Sequence, residues 1–395
     1  MQNRRIKVVF VVAHDAYLKG GRNICKLLEQ HSNFDVSWLT TSKCLAGTGV
    51  GFININEVGA VNEVVQADVI FAGLGGRDLN RLITCIKGNA PSIRQKTPHI
   101  VSYFPGALHL NIFEALVVRL RADKVLLNCK RDYKLYRRIA LATIGRDNGM
   151  VLGAPWIGQQ PTPNLHNDID LLFVEQSIVP ESCMKRTRLV EHLAKLSVRR
   201  PDWRIVVALR ARKDQASSHQ VEYCLKEIAE CLQGHAHHLE FSYEDVDLLL
   251  SRSKRVATIA SSVAFTSLAW QKPTFFINNL GINKAWGNDL FKRSGYMASL
   301  HEIEKCSFTI TSWYRDFIQY PQPDIIGSTL KISGRSYVKV IPKVWICNLP
   351  LICHLFFFYV RNYKNPWVEV SKAFRSVRKI NDAIISLKGN CNVKK

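Results

Sequence analysis

The sequence predicts an α/β protein made of two Rossmann-like domains. Three observations carry this reading. Short apolar runs rich in Val, Ile and Phe recur through residues 6–277 with helical patterns between them, as the βαβ units of a parallel sheet require. The runs are continuously apolar rather than alternating, which is the pattern of strands covered on both faces. The rhythm breaks once, between Pro155 and Asp168, where Pro155, Gly158, Pro161, Pro163 and Asn164 give the composition of a linker, and then it restarts.

In the first half, 6–13 reads as a Val-rich strand, followed by a polar loop and a helix with Ile24, Leu27 and Leu28 on one face. Further strands are expected at 34–39, 69–73, 99–104 and 124–128, with helices at 78–86, 111–120 and from 130 to about 141. In the second half the expected strands are 170–174, 203–209, 255–260 and 273–277. The expected helices are 184–198, 221–232, 243–250 and 261–270. The organisation that follows is an N-terminal Rossmann-like domain over 1–155, a linker over 156–168, a C-terminal Rossmann-like domain over 169–320, and a tail over 321–395.

The chain length of 395 residues suits two domains. A hydrophobic fraction of 47% and a charged fraction of 22% are ordinary for a globular protein and exclude a disordered chain, a collagen-like fibre or a coiled coil. The formal net charge of +22 is not ordinary, and implies anionic company: nucleic acid, an acidic membrane surface or phosphorylated ligands. Half of it sits in 331–395, where thirteen Lys/Arg face only Glu369 and Asp382. Within that tail, 344–360 is apolar and aromatic and is flanked by Lys339, Lys343, Arg361 and Lys364. It contains Asn348, Pro350 and His354 and falls short of the ~20 apolar residues that a spanning helix needs. The expectation is an interfacial segment with a polybasic collar, the alternative being a segment packed on the body of the protein. The aromatic block Phe356-Phe357-Phe358-Tyr359 favours lipid over stacked bases, so no nucleic-acid partner is expected.

The 11 cysteines are scattered and form no C-x-x-C pair, which argues against a structural zinc site or a disulfide framework. Asp168-Ile169-Asp170 is D-x-D in letters only, because it opens a buried strand, and no metal site is expected. The apolar part of the N-terminus, 8–13, is short for a signal-peptide core, and the expected location is cytoplasmic, peripheral to the inner membrane.

Ligands of open α/β sheets bind beyond the carboxyl ends of the strands, so those ends hold the candidate residues. After the first strand come His14 and Asp15, with Tyr17 and Lys19 close by. Asp15 can act as a general base on an attacking hydroxyl or as a helix cap, and His14 competes for the base role. After the third come Gly73-Leu74-Gly75-Gly76, where Gly75 and Gly76 permit close backbone approach to a ligand or form a plain turn. Pro105 and Gly106 end the next strand in the same way. In the second half, Arg210, Arg212 and Lys213 place three cations at a strand end, suited to phosphate or carboxylate, with a solvated loop as the alternative. Ser261 and Ser262 at a helix start can cap the helix, bind phosphate or divide those roles.

The ordered set Asp15-x-Tyr17-Leu18-Lys19, Pro105-Gly106, Cys129-Lys130-Arg131-Asp132, Leu209-Arg210-Ala211-Arg212, Ser261-Ser262-Val263-Ala264 and Leu280-Gly281 resembles a family of bacterial GT-B glycosyltransferases from capsule and surface-polysaccharide clusters. Its plan is also similar to that of transferases using CMP-activated nonulosonates, sialic acid or Kdo. The resemblance covers residues 6–300 and omits the tail. It implies a GT-B fold, two Rossmann-like domains facing a cleft, with the basic aromatic extension added. It implies Asp15 as the base, Ser261 and Ser262 on the donor phosphate, and Arg210 and Arg212 on phosphate or sugar carboxylate. Where the CMP-dependent families carry His-Pro, this chain carries Arg210-Ala211-Arg212. GT-B enzymes use a nucleotide sugar as substrate and need no metal or other cofactor for the chemistry.

The function expected is therefore an inverting, sialyltransferase-like glycosyltransferase. It would move a sugar from a CMP-linked donor to a glycan or lipid-linked acceptor, with the tail on anionic lipid. A UDP- or GDP-hexose transferase of the same fold, a nucleic-acid-binding protein and a non-catalytic scaffold are the alternatives.

Overall fold

The computed structural model describes residues 5–30, 34–45, 49–57, 61–89, 97–109, 112–158, 167–210, 222–232, 238–305 and 307–330. Arg212, Lys213 and the tail segment 344–360 lie outside these residues. The chain forms two compact units. One runs from Met1 to Gly153 and resumes at Gln322, and the other is Ala154–Pro321.

The first unit contains, in chain order, β1 (Ile6–Val12), α1 (Asp15–Glu29), β2 (Phe34–Thr40), β3 (Gly51–Phe52), α2 (Asn62–Val65), β4 (Val69–Gly73), α3 (Gly76–Asn89), β5 (His99–Ser102), α4 (Ile112–Val117), β6 (Lys124–Leu127), α5 (Lys130–Ile144) and β7 (Gly149–Val151). Its seven strands are parallel in the order β3-β2-β1-β4-β5-β6-β7. Side chains alternate across the sheet, and both faces are covered. Val9 and Val11 of β1 join one core with Leu79, Leu82 and Ile83 of α3 and Tyr136 and Ile139 of α5. Val8, Phe10 and Val12 join the other, with Leu18, Ile24 and Leu28 of α1. This two-sided burial is why β1 reads as an unbroken apolar run.

The second unit contains β8 (Leu171–Val174), α6 (Cys183–Arg199), β9 (Ile205–Ala208), α7 (Leu225–Cys231), β10 (Leu239–Ser242), α8 (Val246–Arg252), β11 (Val256–Thr258), α9 (Val263–Ala269), β12 (Thr274–Ile277), β13 (Met297–Ala298) and α10 (Ser312–Phe317). Its six parallel strands run β10-β9-β8-β11-β12-β13. One face packs on Leu189, Leu193 and Leu196 of α6. An aromatic cluster forms round Phe276, whose ring stacks on Phe291 at 3.5 Å, with Phe265 and Trp313 at its edges. Residues 154–158, around the start of the Pro-rich stretch, are packed in this unit. Trp156 meets Phe265 edge-on, and the Gly158 carbonyl accepts a hydrogen bond from Trp270 Nε1 at 3.2 Å.

A final helix, α11 (Pro323–Leu330), returns to the first unit. The Gln322 amide donates to Leu152 O at 2.8 Å, and Ile326 is buried in the core cluster that holds Tyr17 and Leu18 of α1. Among the described residues no helix is long and apolar enough to cross a membrane.

Candidate functional site

Strand order creates one switch point in each unit, where the chain leaves a central strand for opposite sides. In the first unit it lies between β1 and β4, and in the second between β8 and β11.

At the first switch point the ends of β1 and β4 are joined by the Ala13 amide donating to Gly73 O at 3.0 Å. His14, Asp15, Gly75 and Gly76 are thus brought to one edge. His14 occupies the N-cap of α1 with an extended backbone, and its side chain caps nothing. Asp15 is the first helical residue, so the N-cap position itself belongs to His14. That carboxylate is 62% exposed and lies 3.7 Å from His14 Nδ1. A negative charge in the first turn is favoured by the helix dipole. Lys19 is exposed one turn further along α1.

Beneath this edge lies a buried network that the sequence did not reveal. Tyr17 Oη donates to Leu74 O at 3.1 Å and accepts from Arg119 Nη2 at 3.2 Å. Arg119 Nη2 also donates to Leu74 O, at 3.1 Å, and Nη1 donates to Ala115 O at 2.7 Å. The guanidinium stands over the Phe104 ring at 3.9 Å, which adds a cation–π attraction. Arg119 is 3% exposed, and among the described residues no carboxylate pairs with it. Burial lowers the Arg119 pKa and raises that of Tyr17, and in Tyr17 the neighbouring cation works against the effect of burial. Tyr103 Oη donates to Tyr17 O at 2.8 Å and closes the network from β5.

The glycines from the end of β4 to the start of α3 divide their roles, and Gly76, expected to admit a ligand, instead faces Val118, whose Cγ2 would stand 3.0 Å from a Cβ there. A Cβ on Gly73 would stand 2.4 Å from Tyr103 Oη, so this glycine is required by packing. A Cβ on Gly75 would meet nothing within 4 Å, so that position is open to an approaching ligand. Pro105 and Gly106 form a half-buried loop held from β6, because Asn128 Nδ2 donates to Gly106 O at 2.8 Å. Arg131 Nη1 donates to Leu108 O at 3.0 Å and to the buried carboxylate of Asp132 at 2.8 Å. The Lys130-Arg131-Asp132 motif therefore fastens this loop.

At the second switch point, Gln176 Oε1 accepts from the Ala260 amide at 2.8 Å, linking the ends of β8 and β11. Ser261 Oγ accepts from the Val263 amide at 3.3 Å and so serves the helix start. Ser262, at the N-cap of α9, is exposed and makes no side-chain cap bond. Of the two hydroxyls, Ser262 is the one left for a ligand. Arg210 is exposed at the end of β9, on the other side of β8, and its amide donates to Glu175 Oε2 at 3.4 Å. Glu175 in turn pairs with the buried Arg186 at 2.7 Å. Glu175 and Gln176 follow a buried strand directly, which is the signal that could have found them. Arg212, expected beside Arg210, lies outside the described residues.

Asp168 and Asp170 lie at the opposite edge, where the strands begin. Asp168 bonds Arg252 and Arg204, and Asp170 bonds Lys254 at 2.8 Å. These carboxylates tie the edge of the sheet together.

Residues 8–325 match the model of a family described as "Putative glycosyltransferase (DUF6716)". The chain belongs to this family. No curated protein matches the sequence. Among solved structures, the UDP-GlcNAc 2-epimerase of Methanocaldococcus jannaschii is similar, with a TM-score of 0.56 and 11% identity over 82% of this chain and 99% of that one. The Neisseria meningitidis UDP-GlcNAc 2-epimerase bound to UDP-GlcNAc has a TM-score of 0.52 and 12% identity over the same shares. These likenesses show the fold, the GT-B arrangement of two parallel-sheet α/β domains, as the sequence implied.

Proposed function

We propose that this family member is an inverting glycosyltransferase. It moves a nonulosonate, sialic acid or a relative, from a CMP donor onto a bacterial surface glycan such as capsule or lipooligosaccharide. The work is done at the cytoplasmic face of the membrane. The observation that supports this is the second switch point: adjacent strands β9, β8 and β11 set an exposed guanidinium, Arg210, and an exposed hydroxyl, Ser262, on either side of Gln176. A donor that carries both a phosphate and a carboxylate suits that pair, since arginine binds both anions in bidentate fashion.

In the reaction, Asp15 takes the proton of the acceptor hydroxyl as its oxygen attacks the anomeric carbon. The bond from that carbon to the phosphate oxygen breaks, and CMP leaves from the opposite face. Ser262 and Arg210 meet the negative charge that grows on the departing phosphate. Ser261 holds the helix start in place, and Lys19, Gly75, Pro105 and Gly106 border the acceptor.

Thermal shift with CMP, CDP, UDP and GDP tests the proposal, with Ser262→Ala beside the wild type. A ligand at ~100 times its Kd adds about 2.7 kcal/mol of apparent stability. The expected result is a shift with CMP that Ser262→Ala loses while its own Tm without ligand is unchanged. A shift with UDP or GDP alone would replace the donor by a UDP- or GDP-hexose. No shift with any nucleotide would overturn the enzymatic reading.

A further inference from the structure

Helix α5 of the first unit packs Tyr136, Ile139 and Ala140 into the core and ends at Gly145, whose φ of 66° closes it. On its outer side, Lys130, Lys134, Arg137 and Leu141 are all exposed. Their spacing of four, three and four residues places them in one line along the helix. Arg138 is exposed beside them. From Lys130 to Asp147 the chain has six Lys/Arg and two Asp. Of the two acids, Asp132 is buried against Arg131, and Asp147 lies 3.5 Å from Arg137. Leu141, 47% exposed, sits in the same line.

We infer that this line docks the first unit on an anionic bilayer. A cationic stripe complements acidic headgroups, and an exposed leucine within it gains from the acyl boundary but not from phosphates alone. That leucine favours lipid over nucleic acid, and the aromatic ring beside the line, Tyr133, is tethered by its Oη donating to Asp147 at 2.7 Å. Position adds to the argument. Lys130 follows the carboxyl end of β6, on the sheet edge that also carries Asp15 and Gly75. A bilayer along α5 therefore meets the edge at which an acceptor would enter, and the acceptor class this favours is lipid-linked. Helix α11 packs on the opposite face of the sheet from α5, so the stripe does not lie against it. The acceptor class rests on the proposed transferase activity. The docking does not, and vesicle binding is measured without sugar transfer, so either can fail alone.

The test is sedimentation of the full chain with vesicles of phosphatidylcholine, with and without phosphatidylglycerol. Wild type should bind the acidic vesicles and release them at high salt. Lys134→Gln with Arg137→Gln should weaken binding about 25-fold, from roughly 1 kcal/mol per basic residue at an acidic surface. Leu141→Asp should weaken it as well. Arg188→Gln with Lys195→Gln on α6 removes the same charge from the second unit and should change binding little. Equal binding to neutral vesicles, equal losses in the two double variants, or displacement of the vesicles by an oligonucleotide that binds more tightly through the same residues would each overturn the inference. Unchanged thermal melts would show that the variants are folded.

Discussion

Replacing Arg186 by Met is expected to be the most damaging single change in the second unit. Arg186 is 1% exposed. Its Nε donates to Pro180 O at 2.9 Å, Nη1 to Glu175 at 2.7 Å and Tyr223 O at 2.8 Å, and Nη2 to Gln176 O at 2.9 Å and to Ser177 O. Methionine keeps most of the volume but removes the charge and all five bonds, so the loss is mainly electrostatic. Breaking one side of a buried pair costs about 3–5 kcal/mol, because the remaining charge has neither water nor a partner. Burial already raises the Glu175 pKa, while Arg186 acts to lower it, so the variant raises it further. A carboxyl whose folded pKa exceeds its unfolded value stabilises the fold below the unfolded value and loses that contribution as pH rises through the folded one. The deficit of the variant against wild type should therefore be largest near pH 8 and shrink toward pH 5. Glu175→Gln in the same chain should recover part of it by removing the stranded charge. Urea unfolding followed by tryptophan fluorescence at several pH values measures both effects. A loss under about 1 kcal/mol, or one that does not vary with pH, would refute the argument.

Three further outcomes follow from the geometry. Gly73→Ala should cost about 1–3 kcal/mol, since its Cβ would stand 2.4 Å from Tyr103 Oη and 3.0 Å from Tyr17 Cβ, whereas Gly75→Ala should leave the melting temperature unchanged. Asp15→Asn should abolish sugar transfer and move the melting temperature by only about 1 °C, because the carboxylate is largely exposed. The hydrogen bond from Arg252, assisted by Arg204, holds the Asp168 pKa down to about 2. Its modest contribution at this partly exposed edge is present above the ordinary carboxylate pKa and lost as pH falls toward 2, and Asp168→Asn should flatten the acid limb of the stability profile there.

The sequence alone determined the α/β class, the order of the long elements and the edge on which the candidate residues lie. Val69–Gly73 is the strand expected, and Ile6–Val12, Phe34–Thr40 and Lys124–Leu127 differ from expectation by a residue. They were legible because a strand covered on both faces must be apolar at every position, and because a parallel strand must end where a loop begins. Strands β3 and β13, of two residues each, were not legible. So short a strand exists only through pairing with a neighbour already in place, and its own residues carry no period.

The tertiary structure decided what shares an edge with what. Nothing in the chain order says that β4 lies beside β1 or β11 beside β8, yet those pairings bring the loops that carry Asp15 and Gly75 to one sheet edge, and those that carry Gln176 and Ser262 to another. It also decided the two buried arginines. Arg119 and Arg186 look like solvent-facing helix residues in the sequence, because a guanidinium is buried only where carbonyls, a ring or a carboxylate from distant segments converge on it. The return of α11 to the first unit has the same origin. Ile326 finds its partners in α1, some three hundred residues earlier, and only the folded chain brings them together.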